Sequence, residues 1–222
     1  MESIPLNHPI SVTVPGAVAG WIELSKKYGN LKIEEILDLG IELCHEGFEI
    51  NEELYNSLTL HKEELSGQAS GYGFYRDNQP FETGKMIRRP QLGKTLELLK
   101  RNGLEYFYDS DITKSISSSV NGILSFDDLK NFKAEWKKPL HSKIYGFDGW
   151  TSPPSTQGYL TLSTLKAIEM LGAEHNDIHR VIETYRIFAA DRDNITYDYG
   201  KNINDFKGVD LDYIQEKIKL FN

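Results

Sequence analysis

The chain has 222 residues, with 25 Lys and Arg against 33 Asp and Glu, a net charge of −8. That length suffices for one sizeable core, and the charged and apolar fractions are those of an ordinary globular protein. The cations are spread without a basic block, which argues against a nucleic-acid backbone as main partner, and no apolar run approaches the roughly 20 residues that span a bilayer.

The first residues show no charged segment followed by an apolar one, so the chain as written carries no export address and is expected in the cytoplasm; export of a longer precursor stays open. After a short extended lead over 10–14, Pro15 suits the first turn of a helix through Val18, Trp21, Ile22 and Leu24 to Tyr28, ended by Gly29-Asn30. A second helix is predicted over 33–45, with Ile33, Ile36, Leu37, Ile41 and Leu43 at helical spacing and Gly47 closing it. Cys44, the single cysteine, falls in this helix as a buried structural thiol and excludes a disulfide framework or a thiolate metal cluster. His45 follows it directly, but neighbours on a helix point about 100° apart and form no dyad.

A more polar third helix is predicted from Asn51 to about Leu65, then a surface loop over 66–78. Its glycines Gly67, Gly71 and Gly73 are not a phosphate loop, because no strand precedes them and no Lys-Ser or Lys-Thr follows. Pro90 opens a helix whose buried stripe is Leu92, Leu96 and Leu99, and Asn102-Gly103 ends it. Two short helices follow over 104–108 and 111–120, and Ser125 with Asp127 and Asp128 starts another, the acids facing the helix dipole. Segments 136–145 and 147–152 read as two strands around Gly146, with Pro139 suggesting an exposed edge. Helices over 160–171 and 176–191, a turn over 193–204 and an amphipathic segment over 211–221 complete the chain.

Between the hairpin and the next helix stands Ser152-Pro153-Pro154-Ser155-Thr156-Gln157-Gly158. Two consecutive prolines stop regular structure and stiffen an arm that delivers hydroxyls to a helix start. Ser155 and Thr156 have two readings there: caps of the following helix, or the polar border of a pocket.

Several segments, in order, resemble the γ-glutamyltransferase (γ-glutamyl transpeptidase) family. They are Ser11-Val12-Thr13-Val14-Pro15-Gly16 through Trp21 and Tyr28-Gly29, then Glu46-Gly47-Phe48, and Pro90-Gln91-Leu92 through Thr95-Leu96 to Phe107-Tyr108 and Asp111-Ile112. Leu124 to Leu129, Trp136, Pro139-Leu140, Tyr145-Gly146 and the Pro153-Pro154 arm continue the likeness. His175, Glu183, Arg186 and Phe188-Ala189-Ala190-Asp191-Arg192 close it. Each segment alone is weak; their ordered co-occurrence is specific.

The resemblance implies an α+β fold, the helix-rich portion of the αββα sandwich of N-terminal-nucleophile hydrolases with a small antiparallel β element. It also implies one incomplete domain over 1–222, the later part of a large subunit, and no cofactor. In that family the nucleophile is a threonine freed by self-cleavage at the start of the small subunit, its own amine serving as base. The Thr-Thr-His stretch that marks it does not occur in this sequence, and the arginine that grips the donor carboxylate belongs to an earlier part of the large subunit. The expected partners are therefore complementary chains of the same family or a self-associating copy, with γ-glutamyl small molecules such as glutathione bound only in a complete assembly. The alternative is a non-catalytic remnant or binding module on the same scaffold. No catalytic residue is carried over; Ser155 and Thr156 are kept as candidate substrate-side residues, with Ser152 and Gln157 departing from the family pattern beside them.

Two further constellations carry less. His175, His179 and Glu183 are spaced to share a helix face, but beside the two histidines no third zinc-type ligand group is evident, the glutamate of an H-E-x-x-H motif is absent, and the resembled family has residues like His175 and Glu183 without a metal. Asp127-Asp128 and Glu34-Glu35 read as first-turn helix charges, and Asp191-Arg192-Asp193 as an ion-pair network at a helix end.

Overall fold

A computed structural model describes residues 4–5, 8–68, 71, 73–172 and 177–221. The chain divides into two compact units, Met1–Ala134 and Glu135–Asn222.

In the first unit a single turn of 3-10 helix, Pro9–Ser11, replaces part of the expected extended lead, with the His8 ring accepting the Ile10 N–H. Helix α1 (Ala17–Tyr28) begins at an N-cap, Gly16, that has no side chain to offer. Its exposed amides find a distant partner: the Ala19 N–H donates to the Tyr108 hydroxyl at 3.0 Å, and that hydroxyl donates to the Pro15 carbonyl at 2.7 Å. Burial of the ring raises the Tyr108 pKa. Val18, Ala19, Leu37, Leu99, Leu104 and Tyr108 form the buried cluster around this tie.

Helix α2 (Ile33–Glu46) packs extensively on α5 (Pro90–Asn102). The crossing falls at Gly93, where an added Cβ would stand 2.8 Å from His45 Nε2 and 3.1 Å from the Cys44 Cβ. This turns α5 onto its Gly93–Leu96–Leu99 side and corrects the expected stripe: Leu92 is 47% exposed whereas Leu99 is buried. Cys44 is buried as expected, and His45 pairs with Glu97 of α5 at 2.9 Å rather than with the thiol. Ile36 and Leu43 of the expected α2 stripe are exposed, as are Trp21 and Leu24 of α1.

The expected third helix is two, α3 (Glu52–Leu60) and α4 (Lys62–Leu65), broken at His61. Asn51 caps α3 by accepting the Leu54 N–H at 2.8 Å. Two short pairings escape the sequence reading. β1 (Phe48–Glu49) is antiparallel to β4 (Met86–Ile87), and β2 (Tyr75–Arg76) to β3 (Gln79–Pro80), the latter within and just beyond the expected loop. Asp77 and Asn78 take left-handed backbone at that turn. A 3-10 turn, Leu104–Phe107, leads to α6 (Asp111–Ser119) and α7 (Phe126–Lys130), each opened by a serine capping box at Ser110 and Ser125. Ser125 hydrogen bonds lower the Asp128 pKa, as a first-turn capping carboxylate requires.

In the second unit β5 (Leu140–Ile144) and β6 (Phe147–Thr151) form the antiparallel hairpin, so residues 136–139 are not strand. One face of the hairpin lies on α8 (Gly158–Met170), which also packs on α9 (Ile178–Ala190). The expected turn after α9 contains α10 (Arg192–Ile195) and a 3-10 segment, Gly200–Asp205; α11 (Leu211–Ile218) follows. Tyr159, Leu160, Ala167, Phe188, Phe206 and Ile214 make the core here. Arg192 pairs with Asp193 at 2.8 Å as expected, whereas Asp191 leaves that local network, binding Lys217 and accepting the Tyr213 hydroxyl at 3.2 Å. Burial first, and then the Asp191 charge, hold the Tyr213 phenol well above its usual range.

Candidate functional site

The arm 152–157 is positioned from both sides. On the strand side, the hairpin turns through Tyr145 (φ 49°) and Gly146 (φ 83°), both left-handed, the two-residue geometry that matches strand twist. The Tyr145 N–H donates to Glu169 Oε1 at 2.7 Å. Lys166 Nζ donates to Glu169 Oε2 at 2.7 Å and to the Lys143 carbonyl at 2.9 Å. The Lys166 ammonium and the Tyr145 amide hold the Glu169 carboxyl below its usual range. Two residues of α8 thus clamp the hairpin turn.

On the helix side, α8 presses against β6. A Cβ on Gly149 would meet Leu162 Cδ2 at 2.8 Å, and one on Gly158 would collide with the Thr151 hydroxyl. The first residue of α8 therefore passes the last residue of β6 at a separation only glycine allows. Pro154 is buried, and Tyr159, the second residue of α8, is fully buried.

Ser155 and Thr156 are brought together on the exposed side of this arm. Neither caps α8 through its side chain: the N-cap residue is Gln157, which makes no side-chain cap hydrogen bond. The Thr156 hydroxyl turns back instead, in reach of the Ser152 carbonyl at 3.0 Å and the Pro153 carbonyl at 2.9 Å, and the Thr156 N–H closes on Pro153 at 3.3 Å. The capping reading is thus not met: α8 starts one residue later, at the Gln157 N-cap, with no side-chain cap hydrogen bond. Among the described residues neither hydroxyl is hydrogen-bonded to a histidine or a carboxylate, so neither has the base that nucleophilic attack needs. What the arm offers is a fixed, small and polar edge.

His175 lies outside the described residues, and Glu183 is paired with Arg186 at 2.8 Å. Among the described residues no group of three or more His, Cys, Asp or Glu is placed to hold a metal, and no helix is long and apolar enough to cross a membrane. Sequence reasoning missed the Lys166–Glu169 clamp; its signal was an i, i+3 charge pair on α8, common on any exposed helix face.

The Gamma-glutamyltranspeptidase family profile matches residues 1–221. Among curated relatives, the capsule biosynthesis protein CapD proenzyme of Bacillus anthracis is 29% identical over 210 residues, 93% of this chain and 38% of the relative. The glutathione hydrolase proenzyme of Bacillus subtilis (strain 168) is 26% identical over 241 residues, the whole of this chain and 40% of the relative. The crystal structure of the Bacillus anthracis transpeptidase CapD superposes with a TM-score of 0.77 at 28% identity, over 92% of this chain and 72% of that one. Helicobacter pylori γ-glutamyltranspeptidase gives 0.86 at 23% identity, over 100% of this chain and 67% of that one, a likeness of fold.

The architecture is thus the helix-rich portion of an N-terminal-nucleophile hydrolase, with small antiparallel strand pairs. The chain belongs to the γ-glutamyltranspeptidase family. It spans about two-fifths of the length of these curated relatives.

Proposed function

We propose that this chain is the scaffold portion of a γ-glutamyltransferase, which transfers or hydrolyses γ-glutamyl groups of glutathione-like donors only when complementary chains complete it. Those chains supply the nucleophilic threonine and the carboxylate-binding arginine, and the two compact units here belong to one incomplete family domain. The observation that carries this reading is the contrast in coverage. The family profile matches residues 1–221, yet the chain spans only 38% and 40% of the proenzymes it resembles and has no Thr-Thr-His stretch.

The surface supports it. In the first unit an apolar groove of about 490 Å³ runs beside Trp21, Leu24, Tyr28, Ile33 and Ile36. In the second, Leu165, Ile182 and Tyr185 form an exposed apolar face where α8 meets α9. Patches of this kind mark surfaces that another part of an assembly covers. Within that assembly Ser155 and Thr156 border the chamber on the side of the acceptor or water.

Co-expression with a polypeptide from the same genome that carries the missing family segments tests the reading. A stable complex whose binding of a hydrophobic dye falls well below that of the free chain supports it. A free chain that sediments as a compact monomer, binds no dye and ignores that polypeptide favours the remnant or binding module.

A further inference from the structure

The apolar groove of the first unit, about 490 Å³, lies between α1 and α2. Trp21, Leu24 and Tyr28 stand at i, i+3 and i+7 along α1, all exposed, and Ile36 heads the same spacing on α2, followed by the exposed Leu39 and Leu43. Each helix therefore carries two apolar stripes. One is buried, through Val18 and Ala19 on α1 and Leu37 and Cys44 on α2, and the other is held out to solvent. Stripes at this spacing on both sides of a groove suit the apolar face of a further amphipathic helix.

The charged edge says which kind of helix. At about 100° per residue, Glu35, Glu42 and Glu46 fall within about 40° of one another on α2, beside Leu39 and opposite the buried Leu37 and Cys44. Among the described residues none of these three carboxylates has an ion pair or a side-chain hydrogen bond. On the α5 side of the same helix, Asp38 is bound by Lys100 and His45 by Glu97. Charge on α2 is thus matched where the helix already has a neighbour and unmatched along its open edge. The α1 wall has no such row; its cation Lys27 lies over the Tyr28 ring at 5.2 Å.

We propose that the groove docks an amphipathic helix of a partner chain, with Lys or Arg along the edge that meets Glu35, Glu42 and Glu46. This occupant rests on the reading above that the groove is a covered surface, and it adds the chemistry of the cover.

Two labelled 18-residue helical peptides test it against the full chain by fluorescence anisotropy. Both have leucines at i, i+3 and i+7; one carries three edge lysines and the other glutamine in their place. Saturable binding, about tenfold tighter for the lysine peptide at low salt and equal for both at about 0.5 M salt, is the expected result. Leu24→Asn/Ile36→Asn, at two exposed side chains, weakens both peptides at least tenfold. Glu35→Gln/Glu42→Gln/Glu46→Gln removes the lysine preference and keeps the binding. Absence of saturation, equal binding of both peptides at low salt, or a lysine preference that survives the triple variant overturns the proposal. So does self-association of the chain that the Leu24→Asn/Ile36→Asn change abolishes, which assigns the groove to a second copy. No complementary family chain enters these titrations, so their failure is distinct from a failed co-expression.

Discussion

Glu169 clamps the hairpin turn and Gly158 lets the start of α8 pass close to β6, and each makes a prediction. Lys166 and the Tyr145 amide stabilise the Glu169 carboxylate, so its folded pKa lies below the ordinary 4.5. A depressed pKa means that the contribution is fully present above the unfolded value and is lost as pH falls through the lower, folded one. Thermal unfolding of Glu169→Gln should therefore depend less on pH than the unaltered chain on acidification below about pH 4.5. Parallel acid profiles would remove the clamp from the account. Gly158→Ala drives a methyl group into the Thr151 hydroxyl, an overpacking that costs about 1–3 kcal/mol in denaturant unfolding. Thr151→Ala makes room, so the double variant should recover part of that loss; strictly additive losses would place the strain elsewhere.

At the scale of elements, the arm between β6 and α8 is the feature proposed to border the reaction chamber. The Thr156 hydroxyl is spent on the Ser152 and Pro153 carbonyls, not on α8. Thr156→Ala should lower stability by about 0.5–1.5 kcal/mol, the worth of an ordinary hydrogen bond, with the N-terminal turn of α8 unchanged. In a complete assembly, Ser155→Ala/Thr156→Ala should also change the ratio of transfer to hydrolysis. An unchanged ratio restricts both residues to holding the loop.

The elements legible in the sequence are those that glycine and proline punctuate. The bounds of α1, α2 and α5 follow from Pro15, Gly29, Gly47, Pro90 and Gly103, and Tyr145-Gly146 marks the hairpin. Pairings of two residues such as β1 with β4 are too short to show a period of two, so only the fold reveals them. Leu92 misled because helical spacing cannot tell which side of α5 meets its neighbour; Gly93, with no side chain to signal burial, decides it. The cap of α1 comes from Tyr108, 89 residues away from Ala19, and no local motif encodes that. The candidate site was legible as a stiff polar arm, while the direction of the Thr156 hydroxyl depends on backbone turns that composition does not fix.

For the whole molecule, two observations bear on the proposed function. Its described surface leaves large apolar side chains exposed on both compact units, and its sequence lacks the threonine stretch from which the family's nucleophile arises. On the proposed function, the γ-glutamyl-enzyme forms on a hydroxyl that complementary segments supply. We propose that the residues of this chain act as scaffold and that the γ-glutamyl chemistry belongs to complementary segments. The release of aniline product from a γ-glutamyl anilide, measured for the purified chain alone and after addition of a complementary family polypeptide, tests it most directly. Release indistinguishable from an empty preparation is expected for the chain alone, and turnover only in the combined sample. Release above that background by the chain alone would contradict it.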